Sequence, residues 1–234
     1  MSYTRPTPEE IAQRRAQLAP FDGWNERAFC QIVAWMGQPR SYLDLGSGTG
    51  AMVNMARKMG ADAYGVDLIS RGPGAEHWFF EHDLTRPLHL IFPSIYGTVF
   101  MMPDEVITRD EEALRTGIQR RKTFDLITCL EVAEHLPPDA HETLVDTIAR
   151  HLRPKPTMEA DSGLVVFSAA PPGQAGEHHV GCRPAREWRA MFYERGISYR
   201  DDYTRQLAHL FGYVTGPASH WLAANLQVFD RGLA

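Results

Sequence analysis

Apolar residues along the chain fall into short blocks bounded by glycine, proline and charged residues. Ser41 to Leu45 and Ala63 to Leu68 read as strands, joined by Gly46-Ser47-Gly48-Thr49-Gly50 and a helical stretch from Ala51 to Met59 that stops at Gly60. Strand, glycine loop, helix and strand in that order make a βαβ unit. Upstream, Thr7-Pro8-Glu9-Glu10 reads as a helix start, with a capping threonine, proline at the first helical position and a capping-box glutamate. A second helix is expected over Trp24 to Met36, ending near Gly37 and Pro39. Downstream, strands are expected over Trp78 to Leu84, Phe124 to Leu130 and Leu164 to Ala169. A helix follows Leu130 through about Leu152, and another covers Pro184 to Gly196. Ile197 to Tyr203 and Trp221 to Phe229 read as the last two strands. Strands alternating with helices imply an α/β chain whose mostly parallel sheet is covered on both faces.

The stretch 85–123 breaks this rhythm, being too long for a simple connection. It holds apolar Leu90 to Phe92 and Val99 to Met102, then a charged segment from Asp104 to Lys122 that reads as helical. We treat it as an insertion that either forms part of a substrate pocket or packs on the outside of the core. Tyr96, Phe100, Met101 and Met102 suit a pocket, internal packing or a subunit contact equally, so oligomeric state is open.

Composition adds exclusions. With 234 residues the chain suits one domain with a substantial core. A formal net charge of −5 disfavours broad electrostatic binding of nucleic acid. The three cysteines, Cys30, Cys129 and Cys182, lie far apart and make no CxxC pair, which suggests reduced thiols in a cytoplasmic protein. No apolar run approaches the ~20 residues of a membrane span, and the polar start is unlike a secretory signal.

The glycine loop supplies the first chemistry. Gly46-x-Gly48-x-Gly50-Ala51 formally fits the dinucleotide pattern, yet Asp44 stands two positions before it. A carboxylate there repels a pyrophosphate and favours a ligand that carries positive charge. Asp67 ends the next strand, 17 residues after Gly50, where an acid accepts from both hydroxyls of a ribose or caps a loop. Asp83, before Leu84, either accepts from an adenine amino group or forms a turn before Thr85.

Tyr42 to Gly50, Ala63 to Leu68 and Phe124 to Leu136 resemble the successive motifs of class I S-adenosylmethionine (SAM) dependent methyltransferases. The resemblance implies a Rossmann-like class I methyltransferase fold with a seven-stranded sheet, the last strand antiparallel, and SAM across the carboxyl ends of the first strands. It implies one methyltransferase domain over 1–234, with 1–24 as an N-terminal helical extension. SAM carries an ammonium and a sulfonium, consistent with Asp44. The residues expected to bind it are Asp44, Gly46, Ser47, Gly48, Gly50, Asp67, Leu68, Asp83, Leu84, Cys129 and Leu130, the last two through carbonyls at the methionine end.

Glu131, Glu134 and His135 fall at i, i+3 and i+4 after the fourth strand, one face of a helical turn. Two carboxylates and an imidazole suit a divalent metal, although acids in a first turn also complement a helix N-terminus. The Glu-x-x-Glu-His run resembles the metal-binding motif of ubiquinone-biosynthesis O-methyltransferases and of small-RNA 3′-terminal 2′-O-methyltransferases. The second group adds a histidine after the fifth strand, and the spacing to Trp188 makes His179 a better match than His178. The resemblance thus implies metal ligands Glu131, Glu134, His135 and His179, for Mn, Fe, Co, Zn or Mg. Without metal, His135 or His179 is the candidate general base, and His135, His179 and Glu131 form the catalytic set.

The function expected is SAM-dependent O-methylation of a small molecule or sugar with adjacent hydroxyls, with divalent-metal assistance where the four ligands hold an ion. RNA 2′-O-methylation is the alternative, with Arg109, Arg115, Arg120, Arg121 and Lys122 the basic cluster to test. A NAD(P)-dependent oxidoreductase fits less well because of Asp44, and a SAM-sensing protein less well because of the crowded polar groups.

Overall fold

The computed structural model describes residues 7–68, 77–93, 100–101, 119–155, 162–214 and 219–231. Helix α1 (Pro8–Leu18) begins with the expected capping box: Glu10 N donates to Thr7 Oγ1 at 3.3 Å and Thr7 N donates to Glu10 Oε2 at 2.7 Å. A short 3₁₀ turn leads into α2 (Asp22–Met36), which buries Trp24, Ala28, Phe29 and Ile32 on one stripe. Strand β1 (Ser41–Leu45), helix α3 (Ala51–Lys58) and strand β2 (Asp62–Asp67) then form the βαβ unit.

With β3 (Phe79–Glu81), β7 (Leu126–Leu130), β8 (Leu164–Ser168), β9 (Ile197–Tyr199) and β10 (Gln227–Arg231), these strands build a seven-stranded sheet of order β3-β2-β1-β7-β8-β10-β9. Only β10 runs antiparallel to its neighbours β8 and β9. Side chains alternate between two cores. Tyr42, Leu126, Val166 and Val228 face α2, α3, α6 (Asp201–Phe211) and α7 (Ser219–Asn225). Leu43, Leu45, Ile127, Val165 and Phe167 face α4 (His141–His151) and α5 (Ala185–Tyr193). This is the doubly covered sheet that the apolar runs imply.

Four local readings need correction. The helix expected directly after β7 is instead a 3₁₀ turn over Ala133–His135, an extended Leu136, a second 3₁₀ turn over Pro138–Ala140, and then α4. Pro137 and Pro138 account for this: they disfavour helical backbone before them and lack N–H donors. The strand read over Ile197 to Tyr203 stops at Tyr199, because Asp201 and Asp202 open α6 and bury Thr204, Leu207 and Phe211 at helical spacing. The strand read over Trp221 to Phe229 is α7 followed by β10. In the insertion, β4 (Leu90–Pro93) pairs antiparallel with β5 (Phe100–Met101) and β6 (Gln119–Arg121). The expected helix therefore does not reach Lys122. The rest of that reading, with Tyr96, Met102, Arg109 and Arg115, lies outside the described residues. Among the described residues no helix is long and apolar enough to cross a membrane.

Candidate active site

In an open parallel sheet, ligands bind beyond the carboxyl ends of the strands where the strand order reverses. Here that point lies between β1 and β7. A cavity of about 380 Å³ opens there, with Asp44, Gly46, Ser47, Gly48, Asp67, Leu68, Leu84, Leu130, Glu131 and His135 among its walls.

Register explains its first polar group. Asp44 on β1 stands opposite Thr128 on β7, and Thr128 Oγ1 donates to Asp44 Oδ1 at 2.6 Å. The Tyr42 hydroxyl, one pleat back on the same face, lies 2.7 Å from Thr128 Oγ1. Asp44 is 5% exposed, and its burial pushes its carboxyl up to about 7; the Asp67 charge adds to this, and the Thr128 and Tyr42 hydrogen bonds oppose it. Asp67 holds the glycine loop: Gly48 N donates to its Oδ2 at 2.7 Å, while Gly46 N and Ser47 N donate to the Val66 carbonyl. Gly46, Gly48 and Gly50 all have positive φ, so this loop path belongs to glycine. Gly50 caps α3 rather than lining the cavity.

At two of the expected contacts the structure adds detail: Asp83 takes the turn of its two readings, and at Cys129, expected through its carbonyl, the side chain turns away from the cavity. Thr85 N donates to Asp83 Oδ1 at 2.9 Å, so Asp83 closes a local turn, and its neighbours His82 and Leu84 line the cavity. Cys129 points into the core with its thiol pushed up by burial, while Leu130 lines the wall.

Beside the cavity, and reaching its wall through His135, Glu134, His135 and His179 bring one ligand atom each to within 4.8 Å of one another. They come from two segments, His179 lying 44 residues after His135 in the chain. The second segment docks on the first, because Val180 N and Gly181 N both donate to the Glu134 carbonyl at 2.9 Å. His135 Nδ1 lies 3.3 Å from the His178 carbonyl, so His178 contributes backbone and leaves the His135 Nε2 lone pair available. Burial holds the His135 imidazole down at about 4 against that hydrogen bond, with the His179 and Arg14 charges adding to the effect.

Glu134 is fully buried, and neither carboxylate oxygen has a hydrogen-bond partner. Burial first, and the neighbouring Glu131 second, push its carboxyl well above the usual range, while the nearby backbone N–H groups of Glu134 and Ala170, short of full hydrogen-bond geometry, oppose this. His179 Nδ1 is likewise buried and unpartnered. Glu131 faces the cavity, outside the group of three, on backbone with φ +54, and Asn225 Nδ2 lies 3.5 Å from its Oε1.

Sequence reasoning missed the roof. Ile11, Arg14 and Leu18 of α1 line the cavity, as do Trp24 and Asn25 of α2 and Trp221 and Leu222 of α7. The capping box announced α1, but nothing in its sequence said where it docks. Among the described residues, none from the insertion lines the cavity.

Comparison with known proteins agrees with this geometry. A family model described as a methyltransferase domain matches residues 8–215. The chain belongs to the methyltransferase domain family. The expectation of a class I SAM-dependent methyltransferase, drawn from the resemblance of Tyr42 to Gly50, Ala63 to Leu68 and Phe124 to Leu136, stands. A ubiquinone biosynthesis O-methyltransferase from Colwellia psychrerythraea is 26% identical over 126 residues, 54% of this chain but only 40% of that protein's length. The 1,6-didemethyltoxoflavin-N1-methyltransferase of Burkholderia thailandensis, solved with S-adenosylhomocysteine (SAH), has a TM-score of 0.53 at 16% identity, covering 100% of this chain and 94% of its own. CalS10, an amino pentose methyltransferase from Micromonospora echinaspora solved with SAM, has a TM-score of 0.51 at 15% identity, covering 99% and 100%. At these identities the two structures speak for the fold.

Proposed function

We propose that the protein transfers the methyl group of SAM to a hydroxyl oxygen of a small molecule or sugar with adjacent hydroxyls, assisted by a divalent metal at Glu134, His135 and His179. One observation carries the metal assignment: three potential ligand atoms converge within 4.8 Å, and buried oxygens of Glu134 and a buried nitrogen of His179 have no partner within the protein. Buried polar atoms are rarely left unpaired, so such a cluster fits a cation. The His135 hydrogen bond to a backbone carbonyl is the outer contact that orients a metal-ligating imidazole. One carboxylate with two imidazoles suits Mn²⁺, Fe²⁺, Co²⁺ or Zn²⁺ at least as well as Mg²⁺.

Asp44 takes the cofactor ammonium, and Asp67, on the cavity wall at the end of β2, accepts from a ribose hydroxyl. Glu134, His135 and His179 would hold the metal, which when bound would supply the Lewis acidity that lowers the pKa of an acceptor hydroxyl. Glu131, facing the cavity beside the three ligands, receives the hydroxyl proton. The sulfur–methyl bond breaks as the oxygen–methyl bond forms, SAH leaves, and the rate rests on in-line alignment. The O-methyltransferase name of the Colwellia relative and the aminosugar acceptor of CalS10 agree with this acceptor class.

The test is metal content by elemental analysis with SAM present, in the parent and in a Glu134→Ala/His179→Ala variant. Stoichiometric metal in the parent and none in the variant is expected. A parent that stays empty after reconstitution with each of the five ions would remove the metal and return His135 or His179 to the role of base.

A further inference from the structure

His141 plays no part in the reaction above, yet it is fully buried and makes polar contacts on both ring nitrogens. Arg183 Nε donates to its Nδ1 at 2.6 Å, so the ring proton sits on Nε2. That Nε2 lies 3.0 Å from the Ala133 carbonyl and 3.2 Å from the Leu136 carbonyl, the two ends of the turn that carries Glu134 and His135. The ring packs on Trp188 of α5 at 4.6 Å between centroids, which fixes its plane. Arg183 also donates through Nη2 to the Pro138 carbonyl and through Nη1 to Glu187, each at 3.3 Å. It lies four residues after His179 on the second ligand-bearing segment. A side chain at Gly181 would collide with the Leu136 carbonyl and the His141 ring, so the two segments meet at backbone contact.

We propose that His141 and Arg183 are positioning residues, a clamp that sets the Glu134–His135 turn in register with the His179 segment. The inference rests on the metal reading above for its consequence but not for its geometry. Imidazole supplies a donor to one segment and an acceptor to the other, a pairing that an apolar residue of the same size cannot make. Ligands delivered by two separate segments bind a cation only when the segments hold a common register. Loss of such outer contacts typically costs about 10- to 100-fold in metal affinity.

The test compares the full-length parent with His141→Phe, Arg183→Met and Arg183→Lys, using Co²⁺ as the probe. Amide hydrogen exchange at Val180 and Gly181, read by NMR, reports the docking without any metal. Visible absorption of bound Co²⁺ reports the ligand geometry, and SAH affinity reports the cavity at Asp44. Expected in His141→Phe and Arg183→Met are exchange at those two amides at least tenfold faster, Co²⁺ affinity about 10- to 100-fold weaker, and SAH affinity and β1 exchange unchanged. Arg183→Lys is expected to fall between parent and Arg183→Met. If His141→Phe fails to fold, Arg183→Met, at a side chain 30% exposed, carries the test. Unchanged exchange overturns the clamp. Faster exchange with unchanged Co²⁺ affinity also overturns it, leaving a structural tie. A parent that takes up no Co²⁺ removes the metal reading instead, and the amide exchange alone then decides whether the clamp stands.

Discussion

Two buried carboxyl groups stand at the site, Asp44 on the cavity wall and Glu134 behind the wall residue His135, and the two are kept very differently. Asp44 accepts a 2.6 Å hydrogen bond from Thr128, itself backed by Tyr42. Glu134 has no partner at full hydrogen-bond geometry, only nearby backbone N–H groups of Glu134 and Ala170, and faces two imidazoles and a second glutamate. A desolvated carboxylate is tolerated when donors surround it and is costly when they do not. Asp44 is therefore held by the protein's own hydroxyl donors before any ligand arrives. Glu134 is held less completely, which is the argument for a ligand beside it.

The sharpest way to break this contrast is Glu134→Gln. It should empty the metal site and lower methyl transfer by about 10²–10³-fold, the range for losing one group that stabilises developing charge, with SAH affinity unchanged. Equal activity in parent and variant, followed with radiolabelled SAM on a vicinal diol, would assign Glu134 to packing.

Asp44→Asn should act at the other carboxyl alone. Removing one partner of a buried charge pair costs about 2–5 kcal/mol, so SAM and SAH affinity should fall roughly 30-fold or more by calorimetry. Metal content should hold. The Asp44 carboxyl sits near 7 in the free protein and must be ionised to take an ammonium. SAH affinity should therefore fall about tenfold per pH unit below 7 in the parent and stay flat in the variant. The folded state raises this carboxyl above its unfolded value, so Asp44 favours folding at acid pH. That contribution is lost as pH rises from about 4 through about 7. Without ligand, Asp44→Asn should accordingly raise Tm above pH 7, and the gain should vanish near pH 4. A parent and variant of equal Tm at pH 8 would show that Asp44 carries no such strain.

Smaller effects sharpen the contrast. A side chain at Gly176 would overlap the His179 ring. Gly176→Ala should thus weaken Co²⁺ binding by about tenfold, the lower end of the range for disturbed outer contacts, without touching SAH. Asp83→Ala is expected to be the mildest, leaving SAH affinity within about twofold and costing about 1 kcal/mol in denaturant unfolding for the lost Thr85 contact. A tenfold loss of SAH affinity would instead return Asp83 to the adenine.

What the chain alone determined is local. The capping box of α1, the β1–glycine loop–α3–β2 unit, and the positions of Asp44 and Asp67 follow from residues a few places apart, where backbone sterics and alternation dominate. The methyltransferase fold was legible for the same reason. Two prolines after His135 and the helical spacing of Thr204, Leu207 and Phe211 were legible too, but were outweighed by apolar runs that look alike in strand and helix. The tertiary structure alone decided which strands are neighbours, and hence that Thr128 meets Asp44. It also decided that α1 roofs the cavity, that Glu131 stands outside the group of three, and that the His135 ring meets the His178 carbonyl. Those are contacts between segments far apart in the chain. Their partners are chosen by burial and hydrogen-bond satisfaction in the packed molecule, and no periodicity in the sequence encodes that choice.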